Sequence, residues 1–256
     1  MNDAALIECR SVSKRFGGLR ALHDVSFDVP RGSIVGLIGP NGAGKTTLFN
    51  CISGFLRPDE GEVRLDGASL RHLSADRVAR SGIVRTFQSV RMFPGFTVLE
   101  SLLAAQYAGT RAGAVESVLR LPRHRREMRD MRERAEEALE LLGLTHLASA
   151  PCDQQPLLAQ RKIEIARAVV GRPRLLLLDE PSAGATPRES QDLADAIRHL
   201  NEQGTSVLVI EHNVPFITGL ADWVQVLHFG EIVAECAPGD VAQHPVVSEI
   251  YLGRAA

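Results

Sequence analysis

Gly39-Pro40-Asn41-Gly42-Ala43-Gly44-Lys45-Thr46 decides the fold. The stretch satisfies G-x-x-x-x-G-K-[ST], in which bare backbone N–H groups wrap phosphates, the lysine neutralises their charge and the hydroxyl reaches Mg²⁺. Asn41 stands where a dinucleotide fingerprint requires its second glycine, so a Rossmann reading fails at its first requirement. The expected ligand is a nucleoside triphosphate, its phosphates held by Gly39 to Thr46 and by the adjoining Thr47.

Outward from the loop, the pattern is strand, phosphate loop, helix. Ile34-Val35-Gly36-Leu37-Ile38 reads as a buried strand feeding the loop, and Thr47 to Ser53 reads as a helix stopped by Gly54. Further upstream, Ile7 and Cys9, then Val25, Phe27 and Val29, alternate as half-buried strands do. Gly61 to Gly67 reads as a short strand closed by an Asp-Gly turn. From about Thr97 to Arg167 the pattern is mostly helical, with Ala135, Ala138, Leu139 and Leu142 at i, i+3, i+4, i+7 and Gly143 as a stop. The arginine-rich stretch Arg123 to Arg134 reads as a solvated helix face.

Strand and helix then alternate again: Leu175 to Asp179, a helix over Glu189 to Leu200, Val207 to Glu211, and strand-like Trp223 to Leu227. That alternation predicts a mainly parallel sheet with helices on both faces.

Two of these strands end in chemistry. Leu175-Leu176-Leu177-Leu178-Asp179-Glu180 places adjacent carboxylates at a carboxyl strand end, where ligands of open α/β sheets sit. Asp179 is expected to orient the metal, directly or through water, and Glu180 to act as general base on an attacking water. Val207-Leu208-Val209-Ile210-Glu211-His212 carries His212 to the same edge, beside the expected γ-phosphate.

Composition narrows the partners. The chain has 256 residues, 45% of them hydrophobic, enough for one large domain or two joined lobes. Its formal net charge of -2 lacks the basic surplus of a protein that binds nucleic acid mainly through phosphates, so no nucleic-acid partner is expected. Cys9, Cys51, Cys152 and Cys236 are scattered without zinc-ligand spacing and read as reduced, buried thiols. Met1 to Arg10 lacks the charged and apolar regions of a signal peptide, and no apolar run approaches the roughly 20 residues of a bilayer span.

From Ile7 to about Gly253 the sequence resembles the ABC ATPase family. Beyond the phosphate loop and the Asp179-Glu180 pair, Thr86-Phe87-Gln88 resembles the family's Q-loop, and Phe16 in Lys14-Arg15-Phe16-Gly17-Gly18 stands where an aromatic ring stacks on adenine. The resemblance implies that Gln88 contacts Mg²⁺ and the attacking water and senses the membrane subunit, and that His212 reaches the γ-phosphate. It further implies ATP and Mg²⁺ (held through Thr46, Gln88 and Asp179) as cofactors, and two subunits that sandwich two ATP molecules. Within the family, Gly36 to Asn41, Phe49 to Leu56 and Arg85 to Leu99 are similar to the ATPase of branched-chain amino-acid importers.

The fold so implied is α/β: a P-loop NTPase core with an antiparallel β portion, lobes 1–88 and 168–256, and a helical subdomain 89–167. Such a subunit would lie peripherally on the cytoplasmic face of the membrane, powering import through two permease subunits fed by an extracytoplasmic solute-binding protein. The alternative is a soluble ABC-type ATPase with a regulatory or mechanical role. The sequence departs from the family at Gln155-Pro156-Leu157-Leu158-Ala159, where a Leu-Ser-Gly-Gly-Gln-like signature is expected, and at Thr186, where an acid or amide is common. Pro156 supplies no donor and Leu158 crowds the backbone. Both losses fall on the face toward the second ATPase, so a heterodimer with one competent hydrolysis site is expected.

Overall fold

The computed structural model describes residues 5–86, 92–106 and 122–252. The chain divides into two units, Met1–Arg85 with Arg174–Ala256, and Thr86–Pro173.

In the first unit, strand β1 (Ala5–Phe16) lies between β2 (Leu19–Pro30) and β4 (Glu60–Leu65), with β5 (Ala68–Ser69) on the outer side of β4. All these pairings are antiparallel. Asp66 and Gly67 both take left-handed φ, 49° and 73°, so the β4–β5 turn is the tight kind that an Asp-Gly pair favours.

The second sheet of this unit has the order β10-β9-β3-β8-β7-β6. It comprises β3 (Ile34–Ile38), β6 (Ile83–Arg85), β7 (Leu175–Asp179), β8 (Ser206–Ile210), β9 (Trp223–His228) and β10 (Glu231–Cys236). Every pairing is parallel except that of β10 with β9. Strands β3, β7 and β8 are buried at every residue, as strands covered on both faces must be, which is why they read as unbroken aliphatic runs. The parallel order puts the carboxyl ends of β3, β8, β7 and β6 in one row, with Leu37 and Asp179 each paired to Ile210.

Helix α1 (Lys45–Ile52) leaves the phosphate loop and buries Leu48, Phe49, Cys51 and Ile52. Helix α2 (Ala75–Arg80) follows β5 and buries Val78. The second unit contributes α3 (Val98–Gln106), α4 (Pro122–Leu141) and α5 (Leu157–Val169). Arg126, Arg129 and Arg132 of α4 are exposed, two of them paired with Glu133 and Glu136 one turn on, so that face is solvated.

Back in the first unit, α6 (Pro187–Glu202) begins two residues earlier than the sequence pattern indicates, and the cause is local. Thr186 accepts from the Glu189 amide while the Glu189 carboxylate accepts from the Thr186 amide, a reciprocal cap worth about 0.5–2 kcal/mol. Helices α7 (Val214–Leu220) and α8 (Pro245–Leu252) complete the unit. All four cysteines are free and buried, and burial pushes the Cys51 thiol up to about 12.

Candidate functional site

The phosphate loop turns out of β3 in a space too narrow for side chains. A Cβ on Gly39 would lie 2.1 Å from the Leu227 carbonyl oxygen, and one on Gly44 would lie 2.5 Å from that of Ala21. Gly44 also takes φ 107°, a conformation that only glycine adopts cheaply, at the N-cap of α1. The loop is fastened from outside by the β9–β10 turn, where the Gly230 amide donates to the Ala43 carbonyl at 2.9 Å. Pro40, Asn41 and Gly42 form its crest, with Asn41 and Gly42 exposed.

Lys45 is buried under the loop, and its ammonium donates to the carbonyls of Gly39 at 2.6 Å and Pro40 at 3.0 Å. Burial holds its pKa below the ordinary lysine value, while the charges of Glu180 and Asp179 oppose that shift. A cation sequestered this way favours an anionic ligand, because neutralisation offsets the cost of its desolvation. Thr46 is exposed on the first turn of α1, beside half-buried Thr47.

The other expected residues lie at the neighbouring strand ends. Asp179 closes β7 and is buried. Glu180 follows in a left-handed conformation, φ 50°, held by its amide donating to the Ile210 carbonyl at 2.9 Å. A non-glycine residue in that region costs about 1–3 kcal/mol, and such strain concentrates at functional positions. His212 lies just past β8 with its Nδ1 3.6 Å from Glu180 Oε1, too long for a hydrogen bond but close enough for a shared ligand. Phe16 ends β1 with 46% of its surface exposed and the Lys14 ammonium 5.8 Å from its ring centre, so a flat face is open for stacking. Gln88 lies outside the described residues.

Two residues that the sequence patterns did not single out hold the site together. Arg85, at the end of β6, donates to Asp179 Oδ2 at 2.7 Å, and both side chains are about nine-tenths buried. Removing one member of such a pair costs about 3–5 kcal/mol. Glu211, fully buried after β8, accepts from the amides of Ser182 at 2.7 Å and His212 at 3.2 Å, tying the loops after β7 and β8 to one carboxylate. The only signal for either was a charge at the end of an aliphatic strand, Ile83-Val84-Arg85 and Val209-Ile210-Glu211.

The donor set fits Mg²⁺ and a nucleotide. Among the described residues no group of three or more His, Cys, Asp or Glu side chains could cage a metal. One carboxylate and one hydroxyl beside a phosphate cradle are what Mg²⁺ takes when nucleotide oxygens and water complete its shell.

In the second unit, the segment at the expected signature leads into α5. Pro156 is the N-cap and offers no side-chain cap, Leu157 is 53% exposed, and the Gln160 side-chain Nε2 donates back to the Gln155 carbonyl at 2.7 Å. The first turn of α5 thus presents aliphatic side chains where a hydroxyl and glycines were expected.

A family profile described as "ABC transporter" matches residues 22–183. The high-affinity branched-chain amino acid transport ATP-binding protein BraF of Pseudomonas aeruginosa is 39% identical over 98% of both chains. The corresponding LivG protein of Salmonella typhimurium is 40% identical, again over 98% of each. Among solved structures, a nucleotide-free ATP-binding cassette from an ABC transporter superposes with a TM-score of 0.83 at 31% identity, covering 98% of this chain and 100% of that one. The ADP conformation of such a cassette gives the same TM-score and identity over 98% and 99%.

Gly44→Ala is expected to destabilise the first unit by at least about 2 kcal/mol in chemical denaturation, since it combines a left-handed φ with a backbone clash. Saturable ATP binding should be lost with it.

Proposed function

Because the chain belongs to the ABC transporter family of ATP-binding proteins, we propose that it is the ATP-hydrolysing subunit that powers import of branched-chain amino acids. The observation that carries the catalytic part is the convergence of Lys45, Asp179, Glu180 and His212 on one edge of the parallel sheet. The substrate assignment rests on relatives of that printed function matching along nearly the whole chain.

The chemistry follows from the positions. Phe16 stacks on the adenine, and the loop amides and Lys45 hold the phosphates. Thr46 and Asp179 would hold Mg²⁺, with Gln88 completing this group as the sequence implies, and the ion when bound would supply positive charge to the phosphates. Glu180 accepts a proton as a water oxygen bonds to the γ-phosphorus and the bond to the bridging oxygen breaks. His212 contacts the γ-phosphate and stays beside Glu180, so loss of the phosphate is felt by both.

The subunit acts on the cytoplasmic face of the membrane, and among the described residues no helix is long and apolar enough to cross it. Its partners in this reading are two permease subunits, contacted by the helical segment 89–167, with an extracytoplasmic solute-binding protein beyond them. The other ATPase is a different chain carrying an intact signature. Pro156 and the exposed Leu157 support that asymmetry, because they give a poor phosphate grip to the site built on the partner's loop. Thr186 supports it less, since its cap on α6 gives the residue a structural reason of its own.

Glu180→Gln should lower ATP turnover by on the order of a hundredfold or more while leaving ATP affinity within about twofold. Steady-state hydrolysis and equilibrium binding of the same preparation measure both, and retained turnover would remove Glu180 as the base.

Wild-type chain should hydrolyse ATP well only when mixed with the second ATPase. Pro156→Ser with Leu158→Gly should increase turnover about two- to threefold, and only in that mixture. Brisk hydrolysis by the chain alone would contradict the asymmetric arrangement.

A further inference from the structure

Arg85 joins three elements of the site. Its Nη2 donates to Asp179 Oδ2 at 2.7 Å on β7, its Nη1 donates to Asn50 Oδ1 at 2.5 Å on α1, and its guanidinium carbon sits 5.5 Å from the centre of the buried Phe49 ring. Asn50 follows Thr46 by four residues, so the two share one face of α1 a turn apart. One planar side chain therefore spans from the helix that carries the metal-binding hydroxyl to the strand that carries the metal-binding carboxylate.

That span has a consequence for the site. A guanidinium is a rigid fork, always charged, whose donors keep a fixed angle to one another. Held at Asn50 and at Asp179 together, it sets the separation of α1 from the end of β7. It also fixes the plane of the Asp179 carboxylate, because pinning Oδ2 determines where Oδ1 points. Phe49 packs against the guanidinium and limits its own movement.

We propose that Arg85 is a positioning residue for Mg²⁺, bracing the helix of Thr46 and the carboxylate of Asp179 at a fixed separation for the ion. The inference rests on the ATP-and-Mg²⁺ reading of the site given above. Mg²⁺ tolerates little departure from its geometry, so the brace matters for the metal-loaded nucleotide and far less for the phosphates alone. Groups that orient metal ligands without touching the metal are commonly worth on the order of ten- to a hundredfold in metal affinity.

The test is the affinity of the purified chain for trinitrophenyl-ATP, measured in excess Mg²⁺ and again in EDTA. The ratio of the two affinities reports the coupling between metal and nucleotide. In Arg85→Met the EDTA affinity should stay within about twofold of wild type while the gain from Mg²⁺ falls on the order of tenfold. Arg85→Lys should recover part of that gain, since it restores the charge without the fork. Asn50→Leu cuts one arm but leaves Asp179 paired, so it folds more safely than Arg85→Met and should still lose a severalfold share of the gain. An unchanged gain in Asn50→Leu, or equal losses with and without Mg²⁺ in all three variants, would overturn the proposal. A larger gain in Arg85→Met would overturn it too, by showing that the arginine competes with the metal. Failure of the underlying nucleotide reading would look different, because wild type itself would then bind no analogue in either medium.

Discussion

The structure depends on one narrow passage, where the backbone at Gly39 and Gly44 runs against the carbonyl oxygens of Leu227 and Ala21. No side chain fits there, so the loop amides can face a ligand and α1 can start immediately beyond. The two carbonyls belong to different sheets, Leu227 to β9 and Ala21 to β2. The antiparallel sheet thus helps to shape the proposed nucleotide site, because it supplies one wall of the passage. The β9–β10 turn adds the Gly230 bond to Ala43. A mutation in either sheet that shifts these carbonyls would change phosphate binding without touching a phosphate contact.

Charge then explains why the rest of the site gathers at the same edge. Lys45 is buried and directed at the loop carbonyls, and Asp179 is buried and paired with Arg85. Neither charge is tolerable in that setting without its partners. Glu211 performs the same service for amides, collecting those of Ser182 and His212 so that both loops keep fixed geometry. Glu180 is held in its strained conformation by the hydrogen bond of its amide to Ile210, which makes its direction a property of the sheet. The carboxyl ends of β3, β8 and β7 form a single mount, with the proposed catalytic groups a residue or two beyond it.

Local patterns made much of this legible. β3, β7 and β8 announced themselves as aliphatic runs because parallel strands covered on both faces have no polar side to show. The phosphate loop was legible because its glycines are demanded by backbone sterics at fixed spacing. Helix ends were less so. The sequence pattern began α1 at Thr47, whereas it starts at Lys45, because the left-handed Gly44 rather than a polar cap opens it. Thr186, read as a departure in the interface loop, is also an N-cap with a reciprocal partner in Glu189, a capping-box spacing that the sequence carried but the helix reading, started at Glu189, passed over. Arg85 and Glu211 were silent because their meaning lies in partners far along the chain, Asp179 for one and Ser182 for the other.

In this mechanism Lys45 and its loop bind ATP, and every other group in the site acts on what they hold. Isothermal titration of the purified chain with Mg²⁺-ATP, set beside the Lys45→Met variant, is the decisive experiment. Wild type should bind saturably at one site per chain, with affinity falling on the order of a hundredfold in the variant, whose circular dichroism should be unchanged. Equal affinity in the two proteins, or no binding in the wild type, would contradict this mechanism.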